Sequence, residues 1–152
     1  MRYRFIDEIV TLQTEAPARI EVCKTFAAGD DAFSGPLGPD RVPNSLLLEL
    51  LAMTGGHLLF HCLDRGRLPL LLKVQECRFD GCARPGVALH ARASLNGLDD
   101  PSAATVVAET SGEVIANGAL VAAARLLFVC VSVPNIDVAR SFASGIMSEP
   151  LT

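Results

Sequence analysis

The sequence predicts a single α+β domain in which one long, buried helix is enclosed by an antiparallel sheet. Three observations lead to this prediction: two short runs of alternating apolar and polar residues, one long apolar run, and four further strand-like runs behind it. Strands and helices do not alternate along the chain, which disfavours a doubly wound parallel sheet. The length of 152 residues suits one domain with one hydrophobic core.

The first two strands are predicted in residues 4–13 and 18–26, with Thr-Glu-Ala-Pro between them as a turn. The segment 29–43 holds closely spaced glycines and prolines, which disfavour regular structure. A helix is predicted to begin near Pro43 and to end at Gly66. Its leucines go nearly all round the cylinder, as in a helix that other elements surround. A glutamate, two glycines and two histidines interrupt it, so a membrane span is not expected.

Four later strands are predicted in residues 68–79, 86–95, 104–116 and 119–131. The dipeptide Asn117-Gly118 predicts a tight hairpin between the last two strands, because both central residues of a type I′ turn need positive φ. The last strand carries a single charge and is therefore expected inside the sheet. Residues 1–132 are assigned to the domain, and residues 133–152 to a C-terminal tail with no assigned chemistry.

Composition excludes several classes of function. The net charge is −4, only 5% of residues are aromatic, and Lys and Arg do not cluster, so neither nucleic acid nor an anionic membrane is an expected partner. The five cysteines are scattered and never spaced Cys-x-x-Cys, which disfavours disulfides and a zinc site. No metal and no cofactor are expected. The N-terminus lacks the apolar core of a signal peptide, so the expected compartment is the cytoplasm.

Two segments carry a resemblance to a known family. Phe33-Ser34-Gly35 precedes Pro43-Asn44 at the helix start, and the helix continues through Glu49 to Met53-Thr54-Gly55-Gly56. This resembles the bacterial beta-hydroxyacyl-acyl-carrier-protein dehydratases, whose signature runs from Phe-x-Gly-His-Phe-Pro to Glu-Ala-x-Ala-Gln-x-Gly-Gly. Weaker similarity covers most of residues 3–131. The resemblance implies the hotdog fold, a long central helix wrapped by a curved antiparallel sheet.

The resemblance also implies a site. Glu49 matches the catalytic carboxylate of the family, and Gly35, Pro43, Asn44 and Met53 match positions that line its substrate site, with Met53 in place of Gln. The family histidine directly follows the loop glycine, whereas here Pro-Leu-Gly follows it and no histidine stands at or beside that position. Glu49 has a structural alternative as a carboxylate that faces solvent or is satisfied by neighbouring donors, and the glycine loop has one as a tight turn.

Dehydration of a beta-hydroxyacyl thioester needs a base, an acid and N–H groups that polarise the carbonyl. In the family, the histidine and the carboxylate come from different subunits. His57, His61 and His90 are expected to be structural, because the first two lie roughly 12 and 18 Å from Glu49 along the helix.

The resemblance therefore implies an acyl carrier protein or CoA thioester as partner, and a homodimer or a heterodimer with an active dehydratase. Three functions stay open: an impaired dehydratase homologue or partner subunit in fatty-acid or polyketide type biosynthesis, a thioesterase that uses the helix glutamate, and a non-enzymatic lipid-binding protein. A fourth is an active dehydratase that uses another base.

Overall fold

The computed structural model describes residues 5–29 and 40–132, and within them it contains one helix and six strands in the predicted chain order. The helix is α1 (Asn44–Cys62), and the strands are β1 (Glu8–Gln13), β2 (Arg19–Thr25), β3 (Arg67–Phe79), β4 (Ala88–Leu98), β5 (Val106–Ala116) and β6 (Ala119–Ser132). Every predicted element is confirmed in type, and the differences are confined to its ends. The loop with Gly35 and the tail lie outside the described residues.

The six strands form one antiparallel sheet in the order β1-β2-β4-β5-β6-β3. The hairpin between β5 and β6 turns at Asn117 and Gly118, whose φ angles of 50° and 76° confirm the predicted turn. The strand β6 pairs with β5 on one side and β3 on the other, which confirms its predicted interior position. The edges of the sheet are β1 and β3.

One face of the sheet packs against α1, which contacts β2 through β6. Along β4 the residues Leu89, Ala91 and Ala93 are buried on this face, while His90 and Arg92 point to the other face. The predicted α+β hotdog arrangement is thereby confirmed. By length and composition α1 would suit a membrane span, but most of it is buried inside the domain. The surrounding sheet accounts for its apolar character.

Two glycines set how closely α1 approaches the sheet. A Cβ on Gly55 would lie 2.7 Å from the Thr110 hydroxyl oxygen and 3.3 Å from the Phe128 ring. On the sheet side, a Cβ on Gly112 would lie 3.0 Å from a methyl group of Leu51. The middle of the helix therefore rests directly on β5 and β6, and this fixes the direction in which its first turns project.

Candidate active site

The start of α1 is fixed by its neighbours and by proline. Pro43 is the N-cap, with φ −57° and ψ 143°, and its carbonyl accepts hydrogen bonds from the Leu46 and Leu47 N–H groups at 3.0 and 3.3 Å. Val42 donates its N–H to the Ala83 carbonyl at 2.9 Å and is fully buried, which anchors the segment that enters the helix. The N–H groups of the first two helical residues have no partner within the helix, so this end can receive an electronegative group.

Glu49 lies five residues after the helix begins, about 7.5 Å along its axis. It is exposed, and no described residue forms a hydrogen bond or ion pair with its side chain. Leu47 and Leu51, two residues to either side, lie about 160° round the helix and are buried against the sheet. Glu49 therefore points away from the sheet, on the open side of the helix.

Met53 shares the side of the helix on which Glu49 lies, whereas Asn44 lies about 7.5 Å back along the axis and about 140° round the helix, next to the N-cap Pro43. Met53 is half-buried and lies one turn beyond Glu49, on the same side of the helix. Pro43 and Asn44 are also half-buried, and the Asn44 side-chain oxygen is shielded from solvent without a hydrogen-bond partner among the described residues. Four of the five predicted site residues thus lie in the first three turns of α1 or at its N-cap, but only Glu49 and Met53 share one side of the helix; Gly35 lies outside the described part of the chain.

The opening beside Glu49 is local. Ser45 is exposed and Leu46 and Leu48 are half-buried, but farther along the same side Gly56 and Phe60 are buried. The prediction of a helix buried all round is therefore wrong for the first turns and right for the rest. Within one chain the sheet covers only one side of the helix start. The spacing of apolar residues along the helix does not show how far the sheet extends over it.

None of the three histidines lies near Glu49 in the described structure. His57 is buried within the domain, where burial and the nearby His61 lower its pKa to about 3. His61 is half-buried, and burial followed by the charge of Arg65 lowers its pKa as well. His90 is on the opposite face of the sheet, with its Nδ1 atom 3.3 Å from a carboxylate oxygen of Glu21. Their geometry favours the predicted structural roles.

Four of the five thiols are also poorly suited to nucleophilic catalysis. All five cysteines are free, and burial raises the pKa of Cys130 to about 11 and also raises those of Cys23, Cys62 and Cys77. A raised pKa keeps a thiol protonated and unreactive. Among the described residues, no three His, Cys, Asp or Glu side chains are grouped to hold a metal ion. The chemistry available in the first turns of this helix is that of a carboxylate and of backbone N–H groups that have no partner within the helix.

One feature near the site was not predicted from the sequence. The edge strand β3 exposes Leu70, Leu71, Leu72 and Val74, and Leu72 keeps 57% of its surface accessible. The pairing of β3 with β6 shifts register twice in this region, so successive side chains do not simply alternate between faces. The sequence feature that indicates this exposure is the run LPLLLKV, because a strand with one buried and one solvent-exposed face would alternate apolar and polar residues.

In residues 5–29 and 40–132, one helix packs across one six-stranded antiparallel sheet, which is the arrangement of the hotdog-fold proteins. No family model matches the chain. It is 30% identical over 117 residues to the 3-hydroxyacyl-(acyl-carrier-protein) dehydratase FabZ of Bacillus cytotoxicus, with 75% of this chain and 81% of that protein covered. The chain belongs to this dehydratase family.

Solved structures with the same fold include thioesterases. A candidate thioesterase related to phenylacetic acid degradation, from Ralstonia eutropha JMP134, is 25% identical with a TM-score of 0.63, covering 80% of this chain and 82% of its own. A hypothetical thioesterase from Streptococcus pneumoniae TIGR4, solved with coenzyme A, is 11% identical with a TM-score of 0.63, covering 82% and 88%. These relatives and the fold support a general role in acyl-thioester processing.

Proposed function

We propose that this chain is a dehydratase homologue that binds 3-hydroxyacyl thioesters on an acyl carrier protein, in biosynthesis of fatty-acid or polyketide type. Glu49 supplies one of the two proton-transfer groups, and the chain is catalytically incomplete by itself. Asn44, Pro43 and Met53 line the thioester site together with Gly35. The observation that carries this proposal is the exposed Glu49 carboxylate on a helix whose first two N–H groups have no partner within the helix.

The incompleteness follows from what dehydration requires. One group must remove the α proton and another must protonate the departing hydroxide, so that water leaves and a double bond forms. Glu49 can perform one of these transfers. The other transfer needs a second group beside Glu49. His57 is buried and His90 lies on the far face of the sheet, so neither histidine can perform that transfer. A second subunit is the proposed source of the missing group.

The exposed leucines of β3 support such a subunit. A long edge strand with adjacent apolar side chains is a surface that proteins usually cover. We expect a related active dehydratase, which would bring the missing group, to cover Leu70, Leu71 and Leu72. A second copy of the chain can cover the same surface, but it brings no further proton-transfer group. Burying one such side chain contributes about 1–2 kcal/mol, so three of them stabilise a dimer substantially.

The dimer is tested by Leu72→Glu, with Val10→Glu as the matched control on the other edge strand. Val10 is also exposed, at 46%, so both variants place a carboxylate on an apolar edge position. Light scattering after gel filtration is expected to show a loss of β3-mediated association only for Leu72→Glu. Equal behaviour of the two variants would argue against this interface.

A thioesterase is the second candidate, because a single helix carboxylate can activate water while helix-end N–H groups hold the oxyanion. The similarity to the Ralstonia eutropha protein favours it. A CoA thioester rather than a carrier-protein thioester would then be the substrate, as the coenzyme A in the Streptococcus pneumoniae structure suggests.

One assay separates these functions. Purified wild type and Glu49→Gln are given 3-hydroxyacyl and saturated acyl thioesters, and double bonds and free thiol are followed together. Glu15→Gln serves as the control, since Glu15 is an exposed turn residue next to Thr14, whose carbonyl contacts Cys62 at the opposite end of the helix from Glu49. The proposal expects little turnover in either channel without a partner subunit. Glu49-dependent thiol release would establish the thioesterase, and full dehydration by the chain alone would contradict catalytic incompleteness.

Silence in both channels, even with partner dehydratases added, would instead favour a non-enzymatic protein that holds a lipid-like chain. The proposed compartment is the cytoplasm. The free thiols of all five cysteines support it, because disulfides form and persist in oxidising compartments.

A further inference from the structure

Two rows of mostly polar residues cross the outer face of the sheet, which is the face turned away from α1. Because paired residues of neighbouring strands point to the same side, the register defines both rows. From β1 to β3, the first row contains Gln13, Arg19, Ser94, Ser111, Arg125 and Glu76. In the same strand order, the second row contains Thr11, Glu21, Arg92, Glu113, Ala123 and Arg78. These outer rows line a trough of about 980 Å³.

On β2 to β6, the residue in the first row and the residue in the second row complement each other in size or in charge. On three central strands a long charged side chain in one row stands beside a small one in the other, as in Arg92 and Ser94 on β4 or Arg125 and Ala123 on β6. On β2 and β3 both side chains are long, but their charges are opposite. No strand places two like charges in the two rows.

From this pattern we infer that a second copy of the chain packs on the outer rows, with a two-fold axis running across the strands between them. Such an axis lays the first row of one copy over the second row of the other. Arg92 then enters the space above Ser94 of the other copy, and Arg125 the space above Ala123. The small residues that hollow out the trough thus receive the long side chains of the other copy.

The same axis pairs the remaining charges. Arg19 of one copy meets Glu21 of the other, and Glu76 meets Arg78, each contact occurring twice because a two-fold interface is isologous. Arg19, Arg125, Glu76 and Glu113 form no ion pair with described residues of their own chain, so their charges are available to the other copy. The rows span six strands, about 24 Å at roughly 4.8 Å per strand spacing.

A polyanionic ligand fits the trough less well. Four arginines line it, but three glutamates lie among them, and Arg92 already donates to Glu21 at 3.1 Å. A surface on which positive and negative side chains alternate is matched better by another surface of alternating charge than by a ligand of one charge. The outer rows also lie on the opposite face of the sheet from Glu49, so this association is independent of the proposed thioester site; on β3 it uses Glu76 and Arg78 and not the exposed leucines.

The test is the mass of the assembled protein in solution for a set of variants at Ala123. Ala123→Lys places a cation over Arg125 of the other copy, twice per interface, whereas Ala123→Glu places an anion of similar length there. The inference requires a wild-type mass of at least two chains, and light scattering is expected to show that mass halved for Ala123→Lys and retained for Ala123→Glu; a wild-type mass of one chain would overturn it. The double variant Ala123→Lys with Arg125→Glu restores opposite charges across the interface and is expected to recover the wild-type mass.

A mass unchanged in Ala123→Lys, or lowered equally in Ala123→Lys and Ala123→Glu, would overturn the inference. Circular dichroism establishes that each variant is folded. A measurement on the wild type guards against a variant that does not fold: raising salt to about 1 M shortens the Debye length to about 3 Å. Dissociation of the outer-row interface at high salt is expected, and a salt-independent mass would again overturn the inference.

Discussion

The contact between α1 and the sheet at Gly55 leads to a quantitative prediction. An alanine in a helix is favoured over glycine by about 1 kcal/mol. At Gly55, however, the added methyl group would lie 2.7 Å from the Thr110 hydroxyl oxygen and 3.3 Å from the Phe128 ring. Overpacking of a core costs about 1–3 kcal/mol. The balance predicts that Gly55→Ala lowers the free energy of unfolding by about 1 kcal/mol, or roughly 2–4 °C in Tm for a domain of this size.

Chemical and thermal denaturation measure this change, and two variants control it. Gly97→Ala lies at an exposed position of β4 where a Cβ would meet nothing within 4 Å, so it is expected to be close to neutral. Thr110→Ala removes the hydroxyl group that the new methyl would meet, so it is expected to reduce the cost of Gly55→Ala in the double variant. A Gly55→Ala protein as stable as Gly97→Ala would refute the close approach of α1 to β5.

Two further predictions concern Arg67 and His57. The Arg67 guanidinium donates to the carbonyls of Pro101, Ala103, Ala104 and Cys130. Arg67→Lys is therefore expected to lower the free energy of unfolding by about 1–3 kcal/mol and to make residues 99–105 more accessible to proteases. Unchanged proteolysis would contradict this role of Arg67. Burial lowers the pKa of His57 from 6.5 to about 3, so below pH 6.5 the unfolded chain takes up a proton that the folded chain does not. Stability should therefore fall between pH 6.5 and about 3, by up to about 1.4 kcal/mol per pH unit, and His57→Gln should weaken this dependence in denaturation curves.

The elements of the fold could be predicted because their signals are local. Alternation defined β1 and β2, the leucines defined α1, and Asn117-Gly118 defined the last hairpin. The strand order could not be derived from such signals. The return of β3 to the far side of β6 depends on pairing between segments about fifty residues apart. The pattern of elements predicted a helix enclosed by an antiparallel sheet, but it did not give the order of the strands.

The site shows the same division. Glu49, Asn44 and Met53 were found through the resemblance, and the helix period placed Glu49 and Met53 on one side. The sequence left open whether Glu49 faces solvent, since this depends on how far the sheet extends over the helix start. The outer rows and the exposed leucines of β3 also escaped prediction, because both depend on the register between strands and on its two shifts.

The central claim is that an acyl thioester binds beside Glu49 at the start of α1. A non-hydrolysable acyl-pantetheine thioether with a photoreactive group near the thioester position tests it most directly, with crosslinked peptides located by mass spectrometry. The account predicts crosslinks within residues 44–53, reduced by an unlabelled analogue and by substitution of Met53 with a bulkier Trp. Crosslinks confined to the outer face of the sheet, with none in α1, would contradict it.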